Sequence, residues 1–548
     1  MVDWTAIAAE AARRFGITEF RPGQRELIEC ALTGRDALGI LPTGAGKSLC
    51  YQLPALFLKQ AVVVVSPLLA LIQDQTEHMA LADIGAVRLD SSVSPIEQKA
   101  IEAEVLQGNH DVVLITPERL QKPERLAPLN QRGVGLVVVD EAHCVSTWGH
   151  DFRPSYLELR HAIDELGSPP VLALTATAPP DRVDDILDAL GIPDALVVQG
   201  GIERENLRFE VRRTVSRSEK EAQLLEILAH STGSGILYAA TVREVNELHA
   251  WLAEKEIAAV RYHGRLGKAE RDRAQRQFMS GNAALIVATN AFGLGVDKPD
   301  VRFVVHWNFP ESIESYYQEA GRAGRDGATA RCILFYRLED KRVRSFFLGG
   351  KHPRGQEVRR LLQVLTRSNG AARTFSIGEI AAAAGLSERR ARVITAGLES
   401  MNLLTRRRTG RQLKRPLSDE ELQSFLKSFD DHYGADVDRL QMIMKYGETV
   451  QCRMQFFREY FGELTGPPCG CCDNCLHPLE PVAIGKSTRS RKRAKPEHVG
   501  SLPEIGTMVR HARFGLGKVL TAIGEEILVS FPRYGERRVL ATYLKQPG

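Results

Sequence analysis

The chain has 548 residues, 43% of them hydrophobic and 26% charged, with a formal net charge of +4. That is an ordinary soluble globular composition with room for about three to five domains. No signal-peptide pattern appears in "MVDWTAIAAEAARRFG", and the most apolar run, Ala61 to Ile72, is broken by Ser66 and Pro67 and falls short of the about 20 apolar residues of a bilayer span, so a cytoplasmic rather than a membrane protein is expected.

From residue 36 to 335 short β-branched runs alternate with helical stretches. "AVVVVSP", "DVVLITP", "GLVVVDE" and "PVLALTATA" are continuous apolar strands ending in polar residues, and "SGILYAAT", "AAVRYHG", "ALIVATN" and "VRFVVHWN" repeat the pattern. Such strands are buried on both faces, as in parallel sheets flanked by helices, which predicts two successive α/β domains of RecA-like size. Ligands of such sheets sit at the carboxyl ends of the strands.

The first segment with chemistry is "LPTGAGKSL", Leu41 to Leu49, between a strand and a predicted helix. Its glycines let backbone N–H groups converge on phosphate oxygens. Thr43, Gly44, Gly46, Lys47 and Ser48 are the candidate nucleotide ligands, with Lys47 neutralising the β- and γ-phosphates and Ser48 ligating Mg²⁺. Leu41 stands where the strict pattern has glycine, so on spacing alone a plain glycine turn stays open. "VVVDEAH" follows, and two adjacent carboxylates at the end of an apolar strand are costly unless they hold a metal or a proton. Asp140 is the second candidate Mg²⁺ ligand, and Glu141 is the base that activates water. "QEAGRAGRDG" contributes Gln318, Arg322 and Arg325, the arginines reaching across a domain cleft to the γ-phosphate.

After residue 346 the pattern changes. "FSIGEIAAAAGLSERRARVITAGLESMNLLTRR" reads as helix, turn, helix and basic hairpin, with Gly385 in the turn and Ser387 as the second N-cap. Residues 437–462 read as a further helical pair. "PCGCCDNC", Pro468 to Cys475, then packs four cysteines into eight residues, for which disulfides, a metal and a redox site are all open. Two runs, Arg406 to Arg415 and Lys486 to Lys495, each hold six basic residues and no acid, which suits a polyanion. The second run is a Ser/Arg/Lys-rich linker, and the last stretch alternates as a small β-barrel does.

The ordered motifs "FGITEFRPGQ", "PTGAGKSLCYQLPAL", "VSPLLALIQDQ", "TPERL", "DEAHCVSTWGHDFRPSY", "TATA", "YHGRL", "VATNAFGLGVDKPDVRFVVH" and "ESYYQEAGRAGRDG" together resemble the RecQ family of superfamily 2 DNA helicases, over residues 10–336. The resemblance implies ATP- and Mg²⁺-dependent unwinding with 3′-to-5′ translocation on single-stranded DNA. It makes Arg21 and Gln24 nucleotide contacts, Gln24 at the adenine edge, although Ile17 replaces an aromatic that many relatives stack on the base. It also makes Trp148, Phe152 and Arg153 sensors of single-stranded DNA, a role that aromatics and arginine suit because they stack on bases without sequence preference. Cys452, Cys469, Cys472 and Cys475 resemble the family's zinc module, with Cys471 an extra thiol able to replace a neighbour; Cys30, Cys50, Cys144 and Cys332 read as core thiols.

The expected order is a first RecA-like domain over 1–203, a second over 204–346, a winged-helix-like domain over 347–432, a helical zinc module over 433–480, a basic linker over 481–500 and an SH3- or Tudor-like barrel over 501–548. In most RecQ relatives the zinc module precedes the winged helix, and here it follows. Strand separation by the hairpin is therefore not assumed. Backbone contact by Arg406, Arg407, Arg408 and Arg411, and by Arg389, Arg390 and Arg392 on the preceding helix, is expected instead. The last fifty or so residues resemble the C-terminal barrel of UvrD-type helicases, which implies a protein partner. The expectation is thus a monomeric, nucleoid-associated DNA helicase acting on single-stranded and branched DNA in replication, recombination or repair. The competing readings are a DNA-stimulated ATPase that remodels without processive unwinding and an RNA helicase.

Overall fold

The computed structural model describes residues 2–67, 69–90, 93, 95–120, 123–145, 156, 159–293, 298–340, 353–366, 374–401, 403–407, 410–463, 466–478, 506–511, 515–523, 526–531, 535–540 and 544–545. The chain divides into two compact units, Met1–Leu479 and Glu480–Gly548.

The first unit holds two parallel sheets of the RecA type. The first sheet comprises β1 (Ala37–Ile40), β2 (Ala61–Val65), β3 (Ala86–Leu89), β4 (Val112–Ile115), β5 (Val134–Val139), β6 (Val171–Thr175) and β7 (Leu196–Gln199), in the order β3-β4-β2-β5-β6-β1-β7. Alternate residues of its strands face opposite sides. Ile40, Val63, Val65, Val113, Val137 and Val139 enter one apolar cluster, and Val62, Val64, Val112, Leu114, Leu136 and Val138 the other. Both faces are covered by helices, so the central strands read as unbroken apolar runs.

The second sheet comprises β8 (Leu207–Arg213), β9 (Ser234–Tyr238), β10 (Ala259–Tyr262), β11 (Leu285–Ala288), β12 (Val301–His306) and β13 (Ala330–Tyr336), in the order β10-β11-β9-β12-β13-β8. Residues 200–206 connect the two lobes, and β8 pairs in parallel with β13 along its whole length.

Beyond the second lobe, helices Gly355–Thr366, Ile377–Ala384 and Glu388–Ser400 pack with a hairpin of β14 (Leu404–Arg407) and β15 (Gly410–Leu413) around Val358, Leu361, Ile380, Ile394 and Leu398. Gly385 ends one helix in the left-handed conformation at φ 65, and the Ser387 hydroxyl accepts from Arg390 N to start the next. This is the expected helix, turn, helix and wing.

The predicted helical pair over 437–462 is present, as the second half of one helix and the helix Arg453–Phe461, but its first member starts earlier than expected. A single 30-residue helix, Asp419–Glu448, runs straight through residue 432, where the domain boundary was expected. It starts at a capping box in which Ser418 and Glu421 satisfy each other's backbone N–H groups. Its first half buries Phe425 in the winged-helix core, and its second half buries Leu440, Ile443 and Tyr446 in the core of the second lobe. Helix Arg453–Phe461 follows and puts Met454, Phe456, Phe457 and Phe461 into that same lobe core. At roughly 1.5–3 kcal/mol for each large apolar side chain buried, this surface holds the cysteine segment on the lobe.

The second unit is a five-stranded antiparallel sheet of β16 (Met508–His511), β17 (Gly515–Ile523), β18 (Glu526–Phe531), β19 (Gly535–Leu540) and β20 (Leu544–Lys545) around Val509, Val519, Ile527 and Val529. The basic linker over 481–500 lies outside the described residues. No helix among the described residues is long and apolar enough to cross a membrane.

Candidate active site and metal centre

The order β5-β6-β1 places three motifs side by side at the carboxyl ends of adjacent strands: the acids after β5, Thr175 to Ala178 from the end of β6, and the glycine loop after β1. In that loop Gly44 has φ 84 and Gly46 φ 77, the left-handed region that favours glycine. A Cβ on Gly46 would also lie 2.7 Å from Gln24 Nε2. Lys47 Nζ reaches back to Leu41 O at 3.3 Å, and Ser48 stands at the N-cap of helix Leu49–Ala55.

Gln24 is buried and clasps the loop. Its Nε2 donates to Ala45 O at 2.9 Å and Gly46 O at 3.1 Å, while its Oε1 accepts from Arg21 N at 2.8 Å. Arg21 donates to Gly44 O. Both residues thus brace the backbone of the phosphate loop.

Burial, with the neighbouring Glu141 charge second, pushes the Asp140 carboxyl up to about 7, against the opposing pull of Lys47. Glu141 sits at φ 50, a left-handed conformation that costs a non-glycine residue roughly 1–3 kcal/mol. Its Oε2 is buried without a hydrogen-bond partner, 3.5 Å from His143 Nδ1. Thr175 Oγ1 donates to Thr177 O at 3.1 Å, so it accepts from His143 Nδ1 at 3.0 Å and fixes that ring. Two crowded carboxylates, one of them without a hydrogen bond at its inner oxygen, fit a divalent cation held by Ser48 and Asp140.

The second lobe completes the cleft. A Cβ on Gly321 would lie 3.2 Å from Thr43 Cβ, and one on Gly44 would lie 3.7 Å from both Arg325 Cγ and Arg204 Nη1. Thr43 Oγ1 and Arg322 Nε are buried polar atoms without hydrogen-bond partners, facing needs that phosphate oxygens meet. Arg322 is 5% exposed and fits only because residue 293 is glycine, where a Cβ would come within 2.9 Å of Arg322 Nη2. Gln318 is half-buried in the last turn of helix Ile313–Ala320. Sequence reading did not single out Arg204, Asn206 or the His143–Thr175 contact. The "TATA" signal for the last was present, whereas nothing in "GIERENL" marks Arg204.

The sulfurs of Cys452, Cys469, Cys472 and Cys475 all lie within 4.8 Å of one another. Arg453 N donates to Cys472 Sγ at 3.4 Å and Cys469 N to Cys452 Sγ at 3.2 Å, contacts that favour thiolates. A hydrogen bond from Cys472 pulls the Cys469 thiol down to about 4 and holds the proton on Cys472. Cys471 points elsewhere, towards Leu207 O, and burial pushes its thiol up to about 11. Four convergent sulfurs with donated N–H groups fit Zn²⁺. The cluster is tied to the second lobe by Asp473, which pairs with buried Arg453 at 2.9 Å and accepts from Val211 N at 2.8 Å.

Of the basic residues expected on DNA, Arg390 pairs with Glu357 and Arg411 with Glu399 at 2.7 Å, while Arg392 pairs with Glu388 at the surface. The side chains of Arg389, Arg406 and Arg407 lie outside the description, and Arg408, Trp148, Phe152 and Arg153 lie outside the described residues.

Family models match in the same order as the structural parts: DEAD/DEAH box helicase over residues 21–186, helicase conserved C-terminal domain over 219–327 and RecQ zinc-binding over 417–476. The chain is 37% identical over 356 residues to the probable ATP-dependent DNA helicase RecS of Bacillus subtilis, covering 65% of this chain and 71% of that one. It is 40% identical over 339 residues to ATP-dependent DNA helicase RecQ of the same organism, covering 62% and 57%. It spans little more than half the length of several curated relatives it matches. Among solved structures, Mycobacterium smegmatis helicase Lhr bound to ssDNA and AMP-PNP aligns with TM-score 0.50 and 20% identity over 80% of this chain and 62% of that one, a likeness of fold. A relative matched along most of its own length, and a zinc segment particular to one group of helicases, lead to the same conclusion: the chain belongs to the RecQ family of superfamily 2 helicases.

Proposed function

We propose that the protein is an ATP-dependent DNA helicase that moves 3′-to-5′ on single-stranded DNA and unwinds duplex or branched DNA in replication, recombination or repair. The observation that carries the reading is the two-sided cleft, in which Arg325 of the second lobe comes up to Gly44 in the phosphate loop of the first. Lys47 and the loop N–H groups bind the β- and γ-phosphates, and Glu141 orients and deprotonates the attacking water. Arg322 and Arg325, from the other lobe, stabilise charge that develops on the transferred phosphoryl group. Ser48 and Asp140 would hold Mg²⁺, which would supply charge neutralisation at the phosphates. Because the site is complete only when the lobes close, hydrolysis alternates closed and open states and drives movement along a strand.

Trp148, Phe152 and Arg153 stack on that strand, and the wing arginines hold the DNA backbone. Cys452, Cys469, Cys472 and Cys475 would hold Zn²⁺ in a structural role, because four thiolates would leave no position for a substrate. We further propose a monomer acting in the cytoplasm on nucleoid DNA, with a protein partner on the C-terminal sheet.

The test measures unwinding of a forked DNA separately from DNA-stimulated ATP hydrolysis. Strand separation that requires ATP and a 3′ tail supports the reading. Stimulated hydrolysis without separation would make the protein a remodelling ATPase, and unwinding of RNA in preference to DNA would make it an RNA helicase.

A further inference from the structure

We infer that Arg204 is a positioning residue for ATP hydrolysis: its guanidinium, seated between the lobes, fixes the backbone of the segment that carries Arg322 and Arg325. The inference rests on the ATPase reading above.

Arg204 lies in the connection between lobes and spends its donors on that segment. Nη1 donates to Gly321 O at 2.7 Å, and Nη2 to Ala323 O at 3.0 Å and Gly324 O at 2.5 Å. The carbonyls it holds flank Arg322 and immediately precede Arg325. Asn206, two residues on, donates to Gly324 O at 2.7 Å and Ala328 O at 2.9 Å, so the same stretch of connection also pins the far end. The same Nη1 lies beside the phosphate loop, 3.7 Å from where a Cβ on Gly44 would be.

Three features separate this from an ordinary loop support. A planar fork bridging separated carbonyls specifies a loop's shape, which a single ammonium does not. Among the described residues its hydrogen-bond partners are carbonyl oxygens and Asn206 Oδ1, with no carboxylate. Burial first of all opposes that charge; Tyr317 and Cys332 work the other way, and the like charges of Arg325 and Arg21 add a smaller opposition. Arg204 thus belongs to the connection between the lobes and holds the backbone on both sides of Arg322 and just before Arg325.

The test compares wild type, Arg204→Ala, Arg204→Lys, Arg325→Ala and the double variant Arg204→Ala/Arg325→Ala at saturating single-stranded DNA. We expect Arg204→Ala to lower kcat about 100-fold, the scale of a misplaced catalytic group, with KM for ATP little changed. Arg204→Lys keeps the charge and should fall nearly as far. The double variant should be slower than Arg325→Ala by clearly less than the factor that Arg204→Ala costs the wild type, because the alignment of Arg325 is already lost and only that of Arg322 remains to lose. Losses that multiply, or a raised KM at unchanged kcat, would overturn the inference by making Arg204 an independent ligand of the nucleotide. If Arg204→Ala fails to fold, the lysine variant decides by itself: a wild-type melting temperature with reduced kcat supports positioning, and unchanged kcat refutes it. Wild-type protein that hydrolyses no ATP would sink the ATPase reading before any variant is compared.

Discussion

The backbone of Glu141 is left-handed, and that turn is what aims a carboxylate back into the cleft from the end of a buried strand. That conformation carries some cost in strain, as a residue held for chemistry would. Glu141→Gln should abolish hydrolysis while nucleotide binding stays close to wild type, whereas Lys47→Ala should lose hydrolysis through the phosphate cradle. Parallel assays of turnover and of equilibrium binding to a fluorescent nucleotide check both, and near-normal turnover by Glu141→Gln would remove it as the base. Residues of this kind are legible in a bare sequence because phosphate and water activation demand particular side chains at short spacings. Gln24 and Arg204 are a different case. Their partners are backbone carbonyls at Ala45, Gly46 and Gly321 to Gly324, and a carbonyl looks alike under every letter of the sequence.

Among elements, the central strands were legible as apolar runs, and even edge strand β10 was, while β3, β7 and β8 were harder because they lie at sheet edges and carry polar or exposed positions. The cysteine set was open at one place, and the geometry separates Cys471 from the four sulfurs that converge. Cys471→Ser should keep one zinc per chain and Cys472→Ser should lose it or bind it poorly. Metal analysis of the purified variants decides, and the opposite pattern would show that Cys471 is the ligand. The continuity of helix Asp419–Glu448 escaped the sequence reading, which found only its second half, because its middle, "DDHYGADV", is polar and contains glycine, which reads as a linker between two apolar stripes serving different cores. Gly434 lies in that stretch with open space where a Cβ would go. Gly434→Ala should therefore stabilise the protein by about 1 kcal/mol, the usual helix-interior difference, visible as a raised thermal midpoint. A lowered midpoint would mean that the helix needs to bend there.

At the scale of the whole molecule, the order of lobes, wing, cysteine module and terminal sheet was legible from pattern changes along the chain, but not how the parts share cores. The cysteine module has aromatic side chains inside the second lobe, and it touches the connection between lobes through Arg458 to Glu203 and through Glu463, which accepts from Ile202 N at 2.6 Å. Binding to DNA is a property of this scale too. Replacing Arg406, Arg407 and Arg408 with Glu should weaken binding to all sequences alike and flatten the slope of affinity against salt, since phosphate contacts release counterions without reading bases. Titrations of two unrelated oligonucleotides at several salt concentrations measure it, and an effect confined to one sequence would replace backbone contact with base readout. The long helix has a mechanical consequence of its own. With one end embedded in the second lobe and the other in the winged-helix core, its 30 residues form a lever arm of about 45 Å. Rocking that lever by about 10° at the lobe would sweep its tip through about 8 Å, more than two nucleotide spacings of about 3.4 Å along a DNA strand, so a small rotation at the nucleotide cleft is amplified into a stride at the wing.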